Sequence, residues 1–456
     1  MDVLEGDIPA ALLNRADVSS VQFRQLGKFL LGQAPVLTNL ANRISQCPKK
    51  VRHVKLSTVG MQTLGLQTLR HGALGNMGSQ LTAVESFCGA GGMAIGLKET
   101  GFASLLAFDL NKEAVRTYRA GVGPECRAMD ARDVTGNGIL HEVGLGKGEL
   151  DLFAGGPPCQ GFSLQRRRGY ESDERNDLVS EYFRLVEELL PRAFLLENVV
   201  MLGKVRGRKY TKEGFSKLHS LGYQITAGEV NCADYGLAQT RRRFIAVGVR
   251  GKKPFEFPAH TRKPDDWATV RDAIGDLPDC PEDFTEHANI SNHIRCRVTK
   301  RNLEMLSHVP PGGGWRDIPK RLWLDCMKRW DGKTSGGWPD VYGRLEWTGQ
   351  CPTITAGFDS FSRGRYTHPV WNRAITPREA ARLQTFPDSV RFLGTRHDVR
   401  LQIGNAVPPR LAEVFGTAIR RHLEGLPVNG VTSMSVPKSA RYRPLEEQQS
   451  LFSEPA

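Results

Sequence analysis

From Thr82 onward, short apolar runs alternate with stretches that carry apolar residues at helical spacing. The runs over 83–87, 105–109, 127–129, 150–154, 193–196, 224–230 and 244–249 read as strands. The stretches 112–118 and 177–190 read as helices, and another is expected to follow the glycines near residue 90. Strands alternating with helices predict an α/β fold, a doubly wound, Rossmann-like, mostly parallel sheet with ligands at the strand carboxyl ends. Between Pro254 and about His368 this rhythm stops, in a Gly-, Pro- and Arg-rich part that holds six of the seven tryptophans. A smaller, irregular domain is expected there. Helical spacing returns at 377–383, with proline in the first turn.

The pattern divides the chain into an extension over 1–80, a main α/β domain over 81–253, the irregular domain over 254–368, a closing part over 369–428 and a polar tail over 429–456. In the extension, Val21, Phe23, Leu26, Phe29 and Leu30, and then Val36, Leu37, Leu40 and Ile44, suggest two helices. The tail is expected to be disordered.

One stretch stands out chemically. The run 150–154 ends in Gly155-Gly156-Pro157-Pro158-Cys159-Gln160-Gly161-Phe162-Ser163. Two prolines remove two backbone donors and fix φ, so the segment before Cys159 is stiff and cannot be helical. A packing cysteine needs no such clamp. A thiol on a rigid loop at a strand carboxyl end is read as a nucleophile.

Composition sharpens the picture in two ways. The formal charge of +13 points to a polyanionic partner, nucleic acid foremost. The nine cysteines are odd in number, scattered and without a C-x-x-C pair, which argues for a reducing compartment and against a zinc site or disulfide framework. No apolar run reaches the length of a membrane span, and the amino terminus lacks a signal-peptide pattern, so a cytoplasmic protein is expected.

The remaining motifs fall at strand ends. Gly89-x-Gly91-x-x-Ala94, with Asp109 twenty positions beyond the first glycine, fits a dinucleotide loop and equally a loop for S-adenosylmethionine. In the second reading the helix amino terminus faces the methionine carboxylate, Asp109 accepts from the ribose hydroxyls, and Asp130 takes the adenine amino group. Glu197-Asn198-Val199 ends the strand beside the one that carries Cys159. Gln239-Thr240-Arg241-Arg242-Arg243 enters the last strand, where alternation would put Arg241 and Arg243 on one side.

In this order the motifs resemble those of the DNA cytosine-5 methyltransferases of bacterial restriction-modification type, over about residues 82–420. Phe87-x-Gly89-x-Gly91-Gly92 resembles the family's cofactor loop and Pro-Pro-Cys-Gln its nucleophile motif. Glu197-Asn198-Val199 and Gln239-x-Arg241-x-Arg243 match its next two catalytic motifs. Residues 378–387 and Gly404-Asn405-Ala406-Val407-Pro408-Pro409 match its closing pair. Asp109 stands where the family often has Glu.

The resemblance implies the S-adenosylmethionine-dependent methyltransferase fold, with 81–253 as the catalytic, cofactor-binding domain and 254–368 as the target-recognition domain. It implies methyl transfer to C5 of a cytosine flipped out of double-stranded DNA. Cys159 would add to C6, Glu197 would serve N3, and Asn198, Arg241 and Arg243 would complete the catalytic set, the arginines holding the base carbonyl and a phosphate. S-adenosylmethionine would be bound by Phe87, Gly89, Gly91, Gly92, Asp109, Leu110, Asp130, Ala131, Pro157 and Asn405, the last in a tight Gly-Asn turn. DNA would be met by Gln160, Ser163, Arg344, Thr353, Arg363 and Arg365. No metal is implied. A monomer near the nucleoid, with a cognate restriction endonuclease acting separately in the same host, is expected.

Three rivals follow from the same residues. A tRNA cytosine-5 methyltransferase shares the thiol loop, but its Cys-Phe-Thr signature is absent here. A catalytically dead DNA-binding relative would have lost Cys159, Glu197 or Arg241, and all three are present. A nicotinamide oxidoreductase leaves the Pro-Pro-Cys-Gln loop unexplained.

Overall fold

The computed structural model describes residues 80–158, 177–204, 207–331 and 340–428, all within the compact unit that begins at Ser79. The expected extension helices and the tail lie outside the described residues. The first half is built from β1 (Leu81–Ser86), α1 (Gly92–Glu99), β2 (Phe102–Asp109), α2 (Lys112–Gly121), β3 (Cys126–Ala128), α3 (Gly136–Val143), β4 (Leu152–Gly155), α4 (Asp177–Leu189), β5 (Ala193–Val199), α5 (Arg208–Ser220), β6 (Tyr223–Asn231), β7 (Gln239–Thr240) and β8 (Arg242–Arg250). Seven of these strands form one sheet in the order β3-β2-β1-β4-β5-β8-β6. Pairs among β3, β2, β1, β4 and β5 are parallel, and β8 runs antiparallel to both its neighbours. The sheet is therefore doubly wound and mostly parallel, as the alternation of runs predicts.

Chain order reverses between β1 and β4, so the loops after these strands diverge and leave a crevice at their carboxyl ends. The glycine loop follows β1 and the Pro-Pro loop follows β4. Both strands are buried almost throughout because helices cover each face of the sheet. On one face Phe153, Tyr182, Phe194 and Tyr223 pack with α4 and α5; on the other Leu152, Leu195, Val247 and Phe415 pack with α1 and the last helix. Each such side chain contributes roughly 1.5–3 kcal/mol on burial.

Beyond residue 253 come α6 (Val270–Ile274), α7 (Lys300–Ser307), α8 (Asp325–Trp330), β9 (Cys351–Pro352), α9 (Pro377–Leu383), α10 (Arg396–Asn405) and α11 (Pro409–Leu423). Among the described residues of this part, Met305, Leu306, Trp315, Trp323, Met327, Val341, Tyr342 and their neighbours make a separate small core. The flanking parts of the region 254–368 share a core with α9 and α10: Val270, Ile274, Leu345, Ile354 and Tyr366 pack with Ala380, Leu383 and Ile403. The boundary at residue 368, read from lost periodicity, thus crosses a continuous core.

A buried ion pair marks that junction. Thr376 caps α9, its hydroxyl accepting from Glu379 N while the Glu379 carboxylate accepts from Thr376 N at 2.7 Å. The same carboxylate takes two hydrogen bonds from Arg373, at 2.7 and 2.9 Å. Burial alone would raise the Glu379 pKa, but the Arg373 charge and its hydrogen bonds outweigh it and hold the group at about 2. A carboxylate depressed in this way stabilises the fold above its unfolded pKa near 4.3 and loses that contribution as pH falls towards 2. Glu379→Gln is expected to lower stability by about 3 kcal/mol at pH 7. The deficit should shrink as pH falls below about 4. Urea unfolding of both proteins across this pH range checks both statements.

Candidate active site

The chain leaves β1 through a sharply turned loop. Phe87 (φ 53°) and Gly89 (φ 53°) are left-handed, as is Gly91 (φ 90°), the residue before α1. Left-handed backbone at Phe87 costs of order 1 kcal/mol and is the one strained non-glycine residue of the loop. The turn is pinned by Asp109 at the end of β2: its carboxylate accepts from Gly89 N at 2.9 Å and from Asn111 N at 2.8 Å. Burial raises the Asp109 pKa, and these two N–H groups partly offset the rise.

The residues at this end fit S-adenosylmethionine. Helix α1 begins with no side-chain cap and no acid in its first turn, leaving a positive helix end for a carboxylate. Each Asp109 oxygen keeps a lone pair for a ribose hydroxyl. Leu110, next to it, is 65% exposed, a large apolar side chain available to cover an aromatic ring. Asp130, at the end of β3, already holds Arg132 through both oxygens, and this holds its carboxyl below the usual range; Ala131 beside it is buried. An adenine amino group at Asp130 would have to share it with Arg132. Asn405 is exposed, but as the last residue of α10, not in a tight turn. Gly92 lies so close to the Val407 carbonyl that a Cβ would collide with it, which brings the closing motif against the cofactor loop.

The other side of the crevice carries the acid. Glu197 and Asn198 stand near the end of β5, both buried. Asn198 donates to Pro157 O at 2.9 Å, tying the Pro-Pro loop to β5. A Cβ at Gly156 would sit 3.5 Å from Glu197 Oε2, so the segment leading to Cys159 passes directly by the carboxyl group. Glu197 Oε1 lies 2.9 Å from Arg243 Nε, away from the N–H direction, and has no hydrogen-bond partner among the described residues. It is a buried acceptor beside a cation, open to a further donor. Cys159, Gln160 and Ser163 lie outside the described residues. The nearby Cys232 is no rival thiol: it is fully buried, and burial pushes its pKa up to about 12.

Four expectations change. Arg241 does not share a strand face with Arg243, because the strand breaks between β7 and β8 and Arg241 is the break. Its guanidinium is fully buried and donates to Ile354 O and Ala406 O, both at 2.9 Å, and to Gly404 O at 3.4 Å. These bonds engage both terminal nitrogens and make the side chain a brace; being fully buried, it is not presented to a phosphate. Arg344 is 3% exposed and donates to the carbonyls of Leu306, Val309, His368 and Trp371 and to Asn372 Oδ1. Arg365 grips Gly312 O and Gly313 O, both at 2.6 Å. Thr353 donates to Thr240 O at 3.2 Å, joining β7 to β9. Of the arginines expected to meet DNA, Arg363 alone is exposed. Arginine on glycine-rich backbone suggested ligand contact, yet loops without a ladder need donors for their carbonyls, and arginine supplies five.

The mostly parallel seven-stranded sheet has the S-adenosylmethionine-dependent methyltransferase fold, and its Pro-Pro segment passes an acid at the crevice. A family model for C-5 cytosine-specific DNA methylase matches residues 81–421. The chain belongs to this family. The type II methylase M.HgiDII of Herpetosiphon aurantiacus is 33% identical over 75% of this chain and 96% of its own length. The type II methyltransferase M.XorII of Xanthomonas oryzae pv. oryzae is 34% identical over 75% and 85%. Among solved structures, an E. coli prophage-encoded protein described as a DNA modification methyltransferase superposes with TM-score 0.55 at 28% identity, over 75% of this chain and 99% of its own.

Replacing the brace should show in stability. Arg241→Ala and Arg344→Ala are each expected to cost at least about 2 kcal/mol by leaving buried carbonyls unpaired. Arg363→Ala should stay within about 0.5 kcal/mol of the parent protein. Chemical denaturation midpoints distinguish the two classes.

Proposed function

We propose that this protein methylates C5 of a cytosine swung out of duplex DNA, through a covalent bond between Cys159 and C6. The observation that supports this most is the join at the crevice: Gly156 beside Glu197, Asn198 bonded to Pro157, and Arg243 against Glu197. C5 of cytosine is a weak nucleophile, and addition of a thiolate at C6 turns the ring into an enamine with raised electron density at C5. Glu197, carrying a proton on its carboxyl group in this step, donates to N3 and passes that proton to it as charge develops on the ring. Arg243 orients Glu197 and faces the base carbonyl. When bound, S-adenosylmethionine supplies an electrophilic methyl group, and Gly89, Asp109, Leu110 and the start of α1 hold it with Phe87, Gly91, Gly92, Asp130, Ala131, Pro157 and Asn405 around them. Loss of the C5 proton and elimination then free the Cys159 sulfur.

The target is double-stranded DNA, since a stacked cytosine exposes neither C5 nor C6 to attack from both faces and must be flipped. The exposed Arg363 is the arginine proposed to meet that strand, together with Gln160 and Ser163 of the thiol loop. Relatives named type II methylases support a role opposite a cognate restriction endonuclease that acts separately. The protein works as a monomer in the cytoplasm, close to the nucleoid; among the described residues no helix is long and apolar enough to cross a membrane.

Cys159→Ser is expected to abolish turnover, and a duplex containing 5-fluorocytosine should form an adduct that maps to residue 159. Transfer of label to tRNA instead of duplex DNA would overturn the reading. Leu110→Ala should weaken cofactor affinity roughly tenfold, the loss of apolar cover from one ring face. Because Leu110 is 65% exposed, its thermal midpoint should not move. Calorimetric titration and thermal melts test the pair of statements.

A further inference from the structure

Of the three arginines in the Gln239–Arg243 motif, Arg241 braces the fold and Arg243 touches Glu197, which leaves Arg242 without a role. It begins β8, which runs antiparallel to β5, so it stands at the same edge of the sheet as Glu197. It is next in the chain to Arg243, which touches Glu197 and donates to the Arg242 carbonyl at 2.8 Å. The Arg242 side chain points to the opposite sheet face and is 68% exposed. There its Nε pairs with Glu229 of β6, and Lys204, 57% exposed, approaches the other oxygen of the same carboxylate at 3.9 Å. Lys204 follows β5 by a single 3-10 turn, Val200–Gly203, so two strand ends deliver two cations to one acid.

An ion pair this exposed contributes little to stability. Both cations are exposed side chains at and beyond the strand ends, and the carboxylate between them offers the paired oxygens that an arginine fork also takes from a phosphate. We infer that Glu229 is an internal stand-in for a DNA phosphate: it holds Arg242 and Lys204 in place, and the backbone next to the flipped cytosine displaces it and takes both cations. The inference rests on duplex DNA being the substrate. The exchange is favoured because a phosphodiester brings the same charge while releasing condensed counterions, a gain that Glu229 cannot offer.

The arrangement makes an unusual demand, that removing an acid should tighten binding. Duplex affinity is measured by fluorescence anisotropy across a series of salt concentrations for the full-length protein and for Glu229→Gln, Arg242→Gln and the double variant. Glu229→Gln is expected to bind about three- to tenfold more tightly at low salt, since a competing charge is gone. Arg242→Gln should bind more weakly, with the slope of log K against log salt reduced by about one phosphate contact. In the Arg242→Gln background, Glu229→Gln should bring less than the gain it brings alone. Unchanged affinity in both single variants, with the parent protein still binding and methylating the duplex, would overturn the inference and leave the methyltransferase reading standing. A parent protein that binds no duplex would overturn that reading instead.

Discussion

The guanidinium of Arg241 holds together three parts of this protein that are distant in sequence. It sits between β7 and β8 and reaches the carbonyl of Ile354, from the irregular region, and those of Gly404 and Ala406, from the end of α10. Burial and the neighbouring Arg243 charge lower its pKa to about 9, so it keeps its charge at neutral pH. Gln239, two residues earlier, continues the same seam, accepting from Ile354 N at 2.8 Å and donating to Gln384 Oε1 at 2.9 Å. Carbonyls at helix ends and irregular turns have no ladder to satisfy them, and a charged donor repays their burial better than a neutral one.

What this seam positions is the closing motif. With Gly404 and Ala406 held, Val407 rests against Gly92, and α11 packs along α1, where Gly96 comes too close to Pro409 and Glu413 to carry a side chain. The start of α1 is thereby fixed from above by the last described helix, and the left-handed turn at Phe87 and Gly89 is fixed from below by Asp109. The strain at Phe87 persists because its surroundings leave no alternative. A cofactor would meet a cradle already formed, which saves the ordering cost of binding.

Charge is used in two distinct ways. Arg241, Arg344 and Arg373 are buried and bonded to carbonyls or a carboxylate, so they serve architecture. Arg242, Lys204 and Arg363 are exposed, and they carry the basic character that the net charge of +13 signals. Residue type did not separate the two groups. Burial did, and burial depends on what packs over a loop.

The sequence by itself determined the sheet. Runs of buried apolar residues marked every strand of it, and the ends of those runs placed the glycine loop, the Pro-Pro loop and Glu197 at one edge, since parallel strands share a direction. It also determined α9, read from helical spacing with proline in the first turn, while the Thr376–Glu379 capping box came from the structure. Read from periodicity, the chain did not yield α3, α5, α10 or α11, although the last carries Leu411, Phe415, Ala418 and Ile419 at helical spacing, nor the continuity of the core around α9 with the region 254–368. Tertiary structure alone decided which arginines brace and which face solvent, that Asn405 ends a helix, and that Glu229 sits between Arg242 and Lys204. Strand pattern is written in neighbouring residues, whereas a donor's partner is set by chain that returns from a hundred or more positions away.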